Sequence, residues 1–128
     1  MRLLLDTCTL LWLARADRAL PPGVRDSVTS QSAEVFVSTA TAWEIAIKHS
    51  TGRLPLPVSV DRFVPMLRER YGLVGLPIDE QAALHVAKLP RLHFDPFDRL
   101  LVSQAIVHGL TIVTPDPLVT QYPARTIW

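Results

Sequence analysis

Cysteine is almost missing from this sequence, and so is any long apolar run. The one cysteine in 128 residues, Cys8, excludes an intramolecular disulfide framework, and no Cys or His stands at zinc-ligand spacing. Hydrophobic residues make up 48% of the chain, yet no uninterrupted stretch approaches the roughly 20 residues that cross a bilayer. The N-terminal MRLLLD meets a carboxylate too early for a signal peptide. A soluble, cytoplasmic protein with no membrane association is expected, with Cys8 simply packing. Charge of one sign is lacking too: at +1, the net charge is far from the basic excess that announces a nucleic-acid binder. Lysine is scarce. Apart from Lys48 and Lys88, the 13 basic residues are arginine, which suits bidentate phosphate contacts but is also enriched by a GC-rich genome. Repeats, low-complexity tracts and linkers are absent, and residues 1–128 are expected to form a single domain.

What is there is an alternation of short apolar runs and helical patterns. Strands are expected at Arg2 to Leu5, Val35 to Ser38, Leu73 to Leu76, Thr111 to Thr114 and Arg125 to Ile127. Between them, helices are expected through Leu10 to Ala14, from Pro22 to Ser30, from Ala40 to His49 and from Asp61 to Arg70, with Pro65 kinking or restarting the last. A further helix runs from an Asp79 cap to a point before Pro90, and the longest from Pro96 to His108, where Gly109 stops it. This order implies an α/β chain: a three-layer α/β/α sandwich around a mostly parallel five-stranded sheet. Helices that follow strands then begin at the sheet's C-terminal edge.

Four carboxylates belong at that edge. Asp6 follows the first strand, Glu44 lies in the second turn of the helix leaving the second strand, Asp98 is in the first turn of the Pro96 helix, and Asp116 lies just past the fourth strand. Gathered together they would repel one another unless a divalent cation compensates them, and an all-oxygen set suits Mg²⁺ or Mn²⁺. Each also has a plainer role open to it. Asp6 and Asp116 can cap helices, and Glu44 can pair with Lys48 on an exposed face or close a capping box with Thr41. Asp79 caps a helix and has no clear partner. Within HFDPFDRLL, Pro96 at the first helical position makes Asp95 the N-cap, bonded to first-turn N–H groups that include that of Asp98. Asp98 either folds back as half of a capping box or points past the helix end toward Asp6 and Asp116; the second is favoured.

LLLDTCTLLWL, STATAWEIAIKHSTGRL, FDPFDRLLVSQA and LTIVTPD, in this order, closely resemble the PIN-domain ribonucleases, in particular the VapC-type toxins of bacterial toxin-antitoxin pairs. The resemblance covers the whole chain. It implies the strand order 3-2-1-4-5, which sets the first and fourth strands side by side at the crevice where open α/β sheets bind ligands. It carries over Asp6, Glu44, Asp98 and Asp116 as the catalytic, metal-binding acids, with Thr7 and Thr114 as supporting hydroxyls. The implied activity is Mg²⁺-dependent hydrolysis of RNA phosphodiester bonds, Mn²⁺ substituting, on single-stranded or loop RNA. Arg99, beside Asp98, is a candidate phosphate contact or a surface arginine. A homodimer blocked by a small cognate antitoxin is expected. Trp12 and Trp43, on helices beside the site, line a groove for the partner or, by preference, pack in the core. Ser103 stands where such relatives usually carry alanine, and Pro115 and Pro117 stiffen the segment that aims Asp116.

Rival chemistries fit less well. An aspartate-nucleophile phosphatase needs D-x-D after its first strand, where this chain has Asp6-Thr7-Cys8, and a receiver domain needs a lysine after a late strand. The stronger alternative is a non-catalytic PIN module that binds RNA or protein, disfavoured because all four acids are present.

Overall fold

The computed structural model describes residues 1–128. Five strands, β1 (Arg2–Leu5), β2 (Glu34–Ser38), β3 (Val74–Leu76), β4 (Thr111–Val113) and β5 (Thr126–Ile127), form one sheet in the order β3-β2-β1-β4-β5. Every pairing is parallel, so the sheet is fully rather than mostly so. Such a sheet is covered on both faces, which explains β1: Leu3, Leu4 and Leu5 are all fully buried although a strand's side chains alternate. Leu3 and Leu5 face the helices α1 (Thr7–Arg15), α2 (Pro22–Thr29), α3 (Thr39–Ser50) and α4 (Val60–Tyr71), through Leu10, Leu13, Val24, Val28, Ile45 and Leu67. Leu4, with Phe36 and Ile112, faces α6 (Pro96–His108) and α7 (Pro117–Thr120), through Leu101, Val102, Ala105 and Val119. The helix α5 (Glu80–His85) packs on α6, where Ser103 donates its hydroxyl hydrogen bond to the Ala82 carbonyl. This is the expected three-layer sandwich. No helix is long and apolar enough to cross a membrane.

Two helices differ from expectation. Pro65 does not restart α4, which runs through it as one helix, because it sits on the solvent-facing side, where water can take the carbonyl that the missing N–H leaves free. The helix after Asp79 tightens into a 3-10 turn at Val86–Lys88 before reaching Pro90. At the β3 edge, Arg68 lies against Gly75 so closely that a Cβ there would stand 3.0 Å from its Nη1.

One buried polar bridge fixes α6 against the sheet. Ser38 caps α3 by accepting from the Ala40 N–H and donates its own proton to Gln104 Oε1 at 2.5 Å, while Gln104 Nε2 donates to the Pro77 carbonyl. Gln104 is fully buried, so a Gln104→Leu protein should lose about 1–3 kcal/mol in urea unfolding, by leaving the Pro77 carbonyl and Ser38 hydroxyl without a partner.

Candidate active site

The first and fourth strands lie side by side, and the loops after them diverge at the sheet's C-terminal edge. Here Asp6, Glu44, Asp98 and Asp116 line one cavity of about 220 Å³, with Thr7, Cys8, Leu11, Lys48 and Asp95 completing its wall. Each acid is held by its local hydrogen bonds. Asp6 caps α1, accepting from the Thr9 N–H at 2.9 Å, and is only 4% exposed. Glu44, 6% exposed, receives the Thr7 hydroxyl at 2.6 Å on Oε1 and Lys48 Nζ at 2.5 Å on Oε2. The Lys48 pairing foreseen for an exposed face thus forms, but at the wall of the cavity. Asp116 caps α7 through the Leu118 N–H, and its own N–H donates to Thr114 Oγ1, so the flanking prolines leave its carboxylate at the cavity. Asp95 accepts from the Phe97 and Asp98 N–H groups, while the Asp98 carboxylate bonds His93 and does not turn back to the Asp95 N–H as a capping box requires.

The Asp98 carboxyl is displaced from its ordinary range. Burial, reinforced by the charges of Asp95 and Glu44, pushes its carboxyl up to about 6, against the opposing hydrogen bond from His93. His93 Nε2 lies 3.2 Å from Asp98 Oδ2 and its Nδ1 2.7 Å from Tyr122 Oη, which also accepts from Arg99 Nη1. With Arg99 donating to it, the tyrosine sends its one proton to Nδ1, which leaves Nε2 as the N–H donor to Asp98. Cys8 does more than pack. Its thiol donates to the Asp6 carboxylate at 3.3 Å, and burial, followed by the Asp6 charge, pushes it up to about 12, far from any nucleophilic thiolate.

Other expectations need correction. Arg99 does not reach the acidic cavity: its guanidinium donates to the Pro90 and Val86 carbonyls and to Tyr122, which it also covers at 5.8 Å from the ring centre. Thr114 is buried outside the cavity wall and acts on Asp116 through the backbone. Trp43 is no core residue; it is 56% exposed, edge-on to Phe97, whereas the half-buried Trp12 tilts against Trp128. Asp79 does have a partner, His108; the Ala82 N–H first, and His108 after it, hold its carboxyl below the usual range. The residues missed were Lys48 as part of the wall, Cys8 and His93. Of these, only Lys48 signalled itself, through its i, i+4 spacing from Glu44.

The sequence pattern of the PIN domain family matches residues 3–123. This chain belongs to the PIN domain family. It is 35% identical over 68 residues to ribonuclease VapC16 of Mycobacterium tuberculosis, a stretch that spans 53% of this chain and 43% of that relative. Among solved structures, VapBC2 from Rickettsia felis bound to a DNA fragment from its promoter superposes with a TM-score of 0.74 at 13% identity, over 99% of this chain and 98% of that one. FitAB bound to an IR36 DNA fragment gives 0.68 at 17% identity, covering 98% and 93%. At these identities the structural likeness is one of fold. In this PIN domain the cavity's ligating atoms are, apart from the Cys8 thiol, carboxylate and hydroxyl oxygens, the set that Mg²⁺ or Mn²⁺ prefers, and a cation would offset the burial and neighbouring charge that disfavour the ionised Asp98 carboxyl. The acids do not converge on a single point: no three Asp, Glu, His or Cys side chains are drawn together as a finished coordination sphere.

Because the Asp98 carboxyl titrates above its ordinary value in the fold, the folded state binds a proton more tightly than the unfolded chain does. That stability is present at low pH and is lost as pH rises through about 4 to 6. In chelator, Asp98→Asn should therefore melt later than wild type at pH 7, by roughly 1 kcal/mol, with the gap closing toward pH 4.

Proposed function

We propose that this PIN domain is a Mg²⁺-dependent endoribonuclease of the VapC toxin type, with Mn²⁺ able to substitute. It acts in the cytoplasm as a single domain over residues 1–128, as a homodimer that a small cognate antitoxin neutralises. The observation that carries this is the meeting of four carboxylates from four different segments in one cavity at the sheet's reversal point. The ribonuclease name of the Mycobacterium tuberculosis relative supports the activity, and the VapBC and FitAB neighbours support a partner protein.

In this proposal Asp6, Glu44, Asp98 and Asp116 hold the metal. A cation held by these four would supply charge neutralisation at the scissile phosphate and a lower pKa for an attacking water. The remaining work belongs to the chain. The Thr9 N–H and the Cys8 thiol hold the Asp6 carboxylate, so that it does not reorganise during reaction. Thr7 and Lys48 fix the two oxygens of Glu44, and Lys48 also places a cation at the wall, where a phosphate oxygen arrives. His93 orients Asp98, Thr114 orients the Asp116 backbone, and Asp95 anchors the helix from which Asp98 projects. Alone, this wall repels a phosphodiester, which makes the activity conditional on the cation.

Purified protein should cleave single-stranded RNA with Mg²⁺ or Mn²⁺ and not in EDTA, and Asp6→Asn and Asp98→Asn should each lower the rate by about a hundredfold or more. Cleavage at the wild-type rate by both variants would assign the activity to another site or a contaminant. Asp95→Ala, in contrast, should cost roughly 1 kcal/mol of stability and only part of the activity.

A further inference from the structure

Five acids and one lysine give a polyanion little to hold, so a nucleic acid needs a grip outside the acidic cavity. A second cavity, of about 200 Å³, adjoins it, bounded by Arg91, His93, Phe94 and Arg99. His93 is the link between the two: it lines the second cavity and hydrogen-bonds Asp98, which lines the first. The electrostatics reverse across this link. Arg91 is exposed and enters none of the chain's four ion pairs, and Arg99 bonds only to carbonyls and Tyr122, so no carboxylate offsets either charge. Phe94 is the most exposed large apolar residue in the chain, at 91%. It is nonetheless not on a loose end, because His93 before it is tied to Tyr122 and Asp95 after it caps α6. A fixed, bare aromatic ring beside two unneutralised guanidinium groups is the chemistry that binds unpaired bases and their phosphates.

We propose that this second cavity is a nucleotide subsite: Phe94 stacks on an unpaired base, and Arg91 contacts a phosphate of the strand whose neighbouring phosphodiester lies over the acidic cavity. The subsite rests on the ribonuclease function proposed above and specifies its substrate as single-stranded at this position.

The test uses the full chain and a short single-stranded RNA, with Phe94→Ala, Phe94→Trp and Arg91→Ala, all at exposed positions and each checked for an unchanged melting temperature. Phe94→Ala should raise KM about tenfold with kcat nearly kept, and weaken binding of the labelled RNA in EDTA by a similar factor, while Phe94→Trp should retain both. Arg91→Ala should weaken binding and lower the slope of log affinity against log salt by about one. If wild type cleaves RNA and the alanine variants match its KM and affinity, the subsite is wrong and the active site stands. Wild type that neither binds nor cleaves RNA overturns both. A loss of affinity that follows dissociation of a dimer in sedimentation would reassign Phe94 to an interface between copies of the chain.

Discussion

The parallel register that sets Leu5 opposite Val113 is the constraint on which the rest of the molecule depends. It brings the ends of two strands far apart in sequence to the same height at one edge of the sheet. Asp6 leaves one strand end and the Thr114–Asp116 turn leaves the other, and the contact is locked where the Thr9 hydroxyl and the Asp6 N–H both donate to the Val113 carbonyl. With these two positions fixed, α3 and α6 need only pack on the sheet for Glu44 and Asp98 to face the same space. The Ser38–Gln104 bridge ties those two helices' supports together.

At this edge, capping and site-building are one device. Asp6 and Asp116 each give an oxygen to a helix N-terminus and still border the cavity, so capping a helix and lining the cavity are not alternatives here. A carboxylate held by backbone N–H groups has little freedom to turn away, and the fold thereby orders in advance the groups that a cation would otherwise have to order. Asp95 likewise caps α6 while bordering the cavity, and Asp98 borders it without capping.

What local chemistry dictates was legible. The α6 boundaries, its cap, its glycine stop and the edge location of the four acids all follow from short-range patterns; the strand order came from the family resemblance. What was not legible is what tertiary packing decides. His93 meets Tyr122 across 29 residues, and Asp79 meets His108 across the same separation, with no pattern in the sequence to pair them. Arg99 was misjudged because adjacency to Asp98 along a helix means roughly a 100° turn away from it, toward the Pro90 carbonyl. Trp43 was misjudged because an apolar periodicity marks a face without saying whether anything covers it.

The two outermost strands, β3 and β5, are only three and two residues long, and Arg68 lies across the first of them. Such stubs offer too few free N–H and C=O groups to template another chain, which guards the protein against amyloid-like stacking and strand-swapped aggregates. A partner that lengthened the sheet would find few backbone groups to pair with at either edge. Recognition of such a partner would then rest on side chains, which can be selective.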